Sequence, residues 1–278
     1  MNNHQYAPKS TAPTTARALL SDCRELGQAT TTAPIAENAL LRLGLADAYT
    51  TIETALGTVY VAWNAQGLSA VTRTSSAGDF EVWAADLLGR KVYPRVAPPE
   101  RLARAMAAWL AGDRRAALTF DLRGVTPFVR EALLKAREIP HGEVRPYSWV
   151  AREIGHPRAV RAVGTAMARN PIPLFIPCHR VVRADGHLGA YGMGGPESKR
   201  RILSAEGVDV EEVEALASAG VRFVGSDSSS HVYCYPTCHH AYRIAEEHRV
   251  TFADEEAAHA AGYRPCHVCR PPDARLAS

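Results

Sequence analysis

The chain has 278 residues, is 46% hydrophobic and 22% charged, and carries a net charge of +3. That composition excludes a disordered or low-complexity chain and fits an ordinary soluble protein of one large or two to three small domains. No apolar run approaches the roughly 20 residues of a membrane helix. The polar, Pro/Thr-rich start from Met1 to Ala16 lacks the apolar centre of a secretory signal, so the expected location is cytoplasmic.

The N-terminal extension, 1–48, reads as partly flexible, with a short helix over Ala16–Gly27 and a second over Ile35–Ala48. A scaffold domain follows over 49–123. Its strands, Tyr49–Ala55, Thr58–Trp63 and Leu68–Thr72, are separated by Leu56-Gly57 and Asn64-Ala65-Gln66-Gly67, the signals of an antiparallel meander. Helices are expected at Phe80–Leu88 and Pro99–Ala111, and a returning strand at Ala117–Leu122. No catalytic constellation is visible in this half.

Composition changes at 124. Between Arg130 and Arg201 there are thirteen Lys/Arg against six Asp/Glu, a local +7 inside a chain of +3. Such a segment suits a polyanion surface, although many basic clusters are plain solvated faces. Thr126 and Pro127 make an N-cap and first-turn pair for a helix running to about Glu138. Two short helices, Ser148–Ile154 and Arg158–Ala168, flank the turn Gly155-His156-Pro157, which is the pattern of a helix-turn-helix. The second is small-surfaced, with Ala159, Ala162, Gly164 and Ala166. Small residues of this kind pack helices together in a core, or let a helix enter a groove for phosphate and shape contact. Arg158, Arg161 and Arg169 favour the groove.

The turn Asn170-Pro171-Ile172-Pro173 leads to an expected apolar strand, Leu174-Phe175-Ile176, and then to Pro177-Cys178-His179-Arg180. An arbitrary Cys-His pair is more often a structural cysteine beside a surface histidine. A thiol must become a thiolate to react, and a nearby His with a carboxylate behind it is the usual way to arrange that. A Gly-rich loop, 189–196, lacks the Lys-Ser/Thr ending of a phosphate loop. A helix over Glu197–Ala205 ends at Glu206-Gly207.

The run from Asn170 to Val182 resembles the active-site signature of O6-alkylguanine-DNA alkyltransferases. The resemblance extends through Ile139-Pro140-His141-Gly142-Glu143, Tyr147, Arg161-Ala162-Val163-Gly164, Gly189, Tyr191, Lys199 and Glu206-Gly207, covering about 49–208. It implies a suicidal, single-turnover transfer of an alkyl group from O6-alkylguanine, and from O4-alkylthymine, to Cys178. It further implies minor-groove binding of double-stranded alkylated DNA by the helix-turn-helix, with flipping of the damaged base. Carried over residue by residue, His179 is the base acting through a water, Glu206 orients it and Asn170 braces the turn. Arg161 fills the space left by the flipped base, Tyr147 contacts the phosphate and base, and Tyr191 walls the pocket. Ser148 and Arg158 join the DNA-binding set. Pro146 before Tyr147, and a loop one residue longer before Lys199, depart from the commoner pattern. The alternative is a non-catalytic damage-sensing protein, which Cys178 argues against.

Residues 209–230 read as a linker, followed by a C-terminal domain over 231–278. Cys234, Cys238, Cys266 and Cys269 form a C-x3-C … C-x2-C set that suits a tetrahedral zinc site, and a segment this small needs such a staple. Six histidines, at 231, 239, 240, 248, 259 and 267, compete on composition, but spacing favours the cysteines. The stretch 221–273 resembles the zinc-binding domain of Ada-type adaptive-response proteins, here placed after the alkyltransferase part rather than before it. The resemblance implies that Cys234 matches a cysteine accepting methyl from a DNA methylphosphotriester; a purely structural zinc module is the other reading. The expectation is an α+β monomer with a small antiparallel scaffold sheet, a helical helix-turn-helix alkyltransferase domain and a small zinc domain. No organic cofactor and no membrane partner are expected.

Overall fold

The structure is a computed structural model describing residues 33–228 and 231–273. The helix expected over 16–27, and Cys23, lie outside the described residues. Two compact units divide at Ala46, and the second spans residues 47–278. Within the first lies helix α1 (Ala33–Arg42), shorter than the expected Ile35–Ala48, because the chain is already extended at Asp47.

The second unit is mixed α and β, an α+β fold. It opens with the meander β1 (Asp47–Thr54), β2 (Gly57–Asn64) and β3 (Gly67–Thr72). Helix α2 (Ala77–Leu88) is capped by the Ser76 side chain and ended by left-handed Gly89. Strand β4 (Val92–Pro94) then returns parallel to β1, giving the order β3-β2-β1-β4. The β4 pairing was not legible in the sequence, since three residues are too few to show alternation. Tyr49, Ala62, Ala70 and Val92 on one sheet face bury Phe80 and Ala84 of α2. The rings of Tyr60 and Phe80 stack there at 4.9 Å.

Helix α3 (Glu100–Leu110) comes next. The strand expected at Ala117–Leu122 reduces to one bridge between Leu68 and Phe120. The Leu68 N–H donates to the Thr119 carbonyl at 3.0 Å and the Asp121 N–H to the Leu68 carbonyl at 2.7 Å, while the Asp121 side chain accepts from Asn64, Arg90, Arg123 and the Arg123 backbone N–H. That close approach explains Gly67, whose φ is +129° and where a Cβ would sit 2.2 Å from the Thr119 carbonyl oxygen. Gly67→Ala is therefore expected to cost about 2–3 kcal/mol and lower the thermal midpoint by roughly 5–10 °C. An unchanged melt would contradict this packing.

Helix α4 (Pro127–Ala136) starts where Thr126 accepts from the Val129 N–H, and stops two residues before the expected Glu138. Strand β5 (Arg145–Pro146) runs into α5 (Tyr147–Glu153), a connection leads to α6 (Val160–Ala168), and β5 pairs in parallel with β6 (Val181–Val182). Helix α7 (Gly195–Ala205) follows the Gly-rich loop. The expected linker over 209–230 instead contains α8 (Val210–Ser218), capped by Asp209, and the strand β7 (Phe223–Ser226). Val210 and Val213 of α8 share a buried cluster with Val144, Val182 and Leu203, so this helix belongs to the core. The apolar i, i+3 pair was masked in sequence by the acidic residues around it.

The last part is a small sheet of β7, β8 (Val232–Cys234), β9 (Arg249–Phe252) and β10 (Arg264–Pro265), ordered β10-β8-β7-β9. Helix α9 (Glu255–Ala260) is capped by Asp254. Among the described residues no helix is long and apolar enough to cross a membrane.

Candidate active site and candidate metal centre

The segment 170–180 is a braced turn, and the strand expected at Leu174–Ile176 is absent. Leu174 is held at φ +75° with a buried side chain. A branched residue rarely adopts this region and holds it only when its surroundings over-determine it. Here the Trp109 indole donates to the Leu174 carbonyl at 3.1 Å, and the Ile176 N–H donates to the Ile172 carbonyl at 2.9 Å. From the sheet, the Val71 N–H donates to the Pro171 carbonyl at 2.8 Å. The Asn170 amide closes the turn by donating to the Ile176 carbonyl at 2.8 Å and to Cys178 Sγ at 3.1 Å, and its own oxygen accepts from the Ile172 N–H. Cys178 then begins a single 3-10 turn, Cys178–Arg180.

His179 is fully buried. Its Nε2 lies 2.8 Å from Glu206 Oε1, and Arg180 grips the same carboxylate through Nε at 2.8 Å and Nη2 at 2.9 Å. Arg180 Nη1 reaches the Ile139 carbonyl. Burial alone would raise the Glu206 carboxyl, but His179 and Arg180 outweigh it and hold it well below the usual range. An ionised Glu206 only accepts, so His179 Nε2 carries the hydrogen and Nδ1 is left as the lone-pair nitrogen. That Nδ1 is buried with no hydrogen-bond partner in the structure, as is the Tyr191 hydroxyl.

Burial pushes the Cys178 thiol up, against the lowering effects of Asn170 and the nearby Lys199. Burial also pulls His179 below its ordinary 6.5. The resting pair is thus a neutral thiol and a neutral imidazole. Lys199 is buried, lowered to about 8 by that burial, and donates to the carbonyls of Val181 and Leu188 at 2.6 Å each. It therefore ties the strand after Cys178 to the entry of the Gly-rich loop. Tyr147 follows β5, whose pairing with β6 brings it beside the active turn; its hydroxyl is raised by burial and by Cys178. The Tyr191 ring meets His179 edge-on at 6.1 Å.

Thus Cys178, His179, Glu206 and Asn170 are brought together, with Tyr147 and Tyr191 beside them. Arg158 and Arg161 are exposed instead, at the start of α6 and on its outer face, and Ser148 is half-buried in the first turn of α5. The small residues of α6 divide: Ala166 is buried against the core, while Ala162 lies outside between Arg161 and Thr165. Sequence reasoning gave no role to Arg180 or Lys199, although both stand in the quoted signature; their contacts are long-range and leave no local pattern.

In the C-terminal part of the chain, β8 and β10 run parallel, with Val232 opposite Arg264 and Tyr233 opposite Pro265. Their C-terminal ends therefore deliver Cys234 and Cys266 to the same sheet edge. Tight turns bring in Cys238 and Cys269, and all four thiols are buried within 4.8 Å of one another. Zinc–sulfur bonds of about 2.3 Å place tetrahedral ligands roughly 3.8 Å apart, so the donor set fits a closed zinc site. Glu143, Cys238 and His239 also converge, but this three-donor group shares Cys238 with the larger set. Cys234 faces a cavity of about 450 Å³ that is also lined by His240 and Arg243.

This zinc-ready module is stitched to α5 and β5. The Trp149 indole donates to the Cys269 carbonyl at 3.0 Å, and the Val144 N–H donates to Thr237 Oγ1 at 2.9 Å. Arg270 pairs with Glu153 at 2.7 Å, and Arg145 lies 5.3 Å over the Tyr235 ring. Sequence could not announce these contacts, since more than ninety residues separate the partners in both hydrogen bonds.

Residues 127–208 match the family described as 6-O-methylguanine DNA methyltransferase, DNA binding domain, and residues 214–272 match the metal binding domain of Ada. The chain is 38% identical over 149 residues to a methylated-DNA–protein-cysteine methyltransferase of Methanosarcina barkeri, covering 52% of this chain and 89% of that protein. It is 33% identical over 168 residues to the constitutive methylated-DNA–protein-cysteine methyltransferase of Bacillus subtilis, covering 59% and 98%. A solved structure of Mycobacterium tuberculosis OGT in complex with DNA aligns with 29% identity and a TM-score of 0.48, over 60% of this chain and 99% of that one.

Proposed function

The chain belongs to the methylated-DNA–protein-cysteine methyltransferase family, and from that premise we propose that Cys178 removes the alkyl group of O6-alkylguanine in duplex DNA, once per molecule. The observation that carries this reading is the unpartnered Nδ1 of buried His179, the residue that follows the buried Cys178, with Glu206 on the opposite nitrogen. Such a nitrogen accepts the Cys178 proton through a water when substrate arrives, and Glu206 steadies the imidazolium that forms. The sulfur then attacks the alkyl carbon. The S–C bond forms as the C–O6 bond breaks, and the bond pair leaves on guanine, which takes up a proton. The resulting thioether is stable to water, so the stoichiometry of this reading is one.

Buried Cys178 lies out of reach of a stacked base, which supports extrusion of the lesion into the space beside Tyr147 and Tyr191. Helices α5 and α6 form the helix-turn-helix of this reading. Exposed Ala162 and Thr165, flanked by Arg161 and Arg169, suit minor-groove entry with phosphate contacts. The alkoxy carbon of O4-alkylthymine presents the same leaving chemistry and falls within the proposed range.

Cys234, Cys238, Cys266 and Cys269 would hold zinc, which supplies a permanently ionised thiolate. Cys234 is the proposed second acceptor, for the methyl of a methylphosphotriester, because its cavity carries Arg243 and His240 and suits a phosphate group. Incubation with duplex O6-methylguanine is expected to add one methyl mass to the Cys178 peptide, and methylphosphotriester DNA to add one at Cys234. Unmodified Cys178 under excess lesion would overturn the first claim in favour of a damage-binding protein; zinc without methylation at Cys234 would leave that module structural.

A pH consequence follows from burial. His179 is held below 6.5, so it remains a competent base through neutrality and is lost only in more acid solution. The single-turnover rate should reach half its plateau below pH 6.5. An acid limb centred at or above that value would show that His179 is not the group accepting the proton.

A further inference from the structure

A groove of about 680 Å³ runs between the helix-turn-helix and the metal module, lined by Arg152, Pro157 and Arg158 on one side and by His267, Arg270 and Pro271 on the other. Arg158 opens the segment leading into α6, the helix proposed to meet DNA. On the opposite wall, Cys266 and His267 line this groove and also line the cavity that holds Cys234. Arg264 and Arg243 continue the lining of that second cavity. The two hollows are therefore neighbours sharing one rim, and cationic side chains lie along both. Asp273 is a carboxylate in the groove wall, Arg270 is drawn towards Glu153 and Arg152 donates to the Arg270 carbonyl, so the charge offered outward comes mainly from the exposed Arg158, Arg264 and Arg243.

From this juxtaposition we infer that the groove and the Cys234 cavity form one phosphate track continuous with the helix-turn-helix, so that a single DNA duplex lies against both modules at once. The inference rests on the proposed function, because it takes duplex DNA as the ligand of α5 and α6. Regularly spaced phosphates suit a track in which fixed guanidinium charges recur along two joined hollows. The docking contacts reinforce it. Trp149 and Glu153, which bind the metal module, lie on α5 itself, so the module is fixed to the DNA-reading element rather than to the scaffold sheet.

The test uses the full chain with its metal bound and an undamaged duplex of about 20 base pairs. Arg264→Glu combined with His267→Glu is expected to weaken duplex binding roughly tenfold at 0.15 M salt and to make the log–log salt dependence shallower by about one to two. Alkyl transfer to Cys178 from the free base O6-benzylguanine, and metal content, should be unchanged. Because both positions adjoin metal-ligand residues, a second measurement uses the unaltered protein: hydrogen exchange of residues 264–268 should slow on adding the duplex. Unchanged exchange at 264–268 in protein that binds the duplex overturns the shared track and leaves the alkyltransferase reading intact. Absence of any duplex binding, together with unmethylated Cys178, overturns both.

Discussion

Glu206→Ala is expected to abolish useful transfer and to be among the most destabilising single changes in the molecule. Glu206 accepts from His179 on one oxygen and is gripped by Arg180 through both, and Arg180 is itself buried. Removing the carboxylate strands a buried guanidinium, a class of change that costs about 3–5 kcal/mol. At this size the thermal midpoint should fall by roughly 10 °C or more. The rate should fall at least about 100-fold, because the imidazole loses the partner that fixes its tautomer and stabilises its charged form. Glu206→Gln separates the two effects. Its amide oxygen, in the place of Oε1, still accepts from His179 Nε2 and Arg180 Nη2, and its NH₂ meets only Arg180 Nε, so folding survives better than catalysis does.

The sign of the pH effect on stability is fixed by the same contacts. Despite burial, His179 and Arg180 hold the Glu206 carboxyl well below its ordinary 4.5. Its contribution is therefore complete above pH 4.5 and is lost as the pH falls through the lower, folded value. Acid titration of the wild type should show this loss, and Glu206→Gln should lack it. If the two proteins lose stability in parallel below pH 4.5, Glu206 is not the linked group.

The centre was legible in sequence wherever its chemistry is local. Asn170, Cys178 and His179 lie within ten residues, and Glu206 follows a helix whose end was marked by Gly207. The turn that presents the cysteine was not legible. Three apolar residues read as strand, yet Leu174 sits in the left-handed region because Trp109, 65 residues away, claims its carbonyl. The acidic stretch after Val208 was misread for a related reason. Only Val210, Val213 and Ala217 of α8 are fully buried, and the two valines share their cluster with Val144, with Val182 of β6 and with Leu203 of α7. Local periodicity reports which residues want burial, and it is silent on which distant surface receives them.

Removal of the metal should reach well beyond the cysteines. The module's strands are two to four residues long, and its interior is a cluster of rings, Phe223, Tyr233, Tyr235, Phe252 and Tyr263. So small a core does not support folding alone, and metal-binding free energy is then folding free energy. The Cys269 carbonyl accepts from Trp149 and Thr237 bonds Val144, so order in the module is transmitted to α5 and β5. Stripping the metal with a strong chelator should melt residues 231–273, expose Trp149 to water and red-shift its emission. Two lost hydrogen bonds at about 1 kcal/mol each, plus the uncovering of one buried indole, predict roughly 3–5 kcal/mol less stability for the remainder. At about 2–4 °C per kcal/mol, that lowers the midpoint by roughly 6–20 °C. Trp149→Phe should reproduce part of that loss while zinc remains bound, because it removes the donor and keeps the ring. If chelation empties the site but neither the midpoint nor the Trp149 emission moves, the module stands without its metal and the coupling through Trp149 is absent.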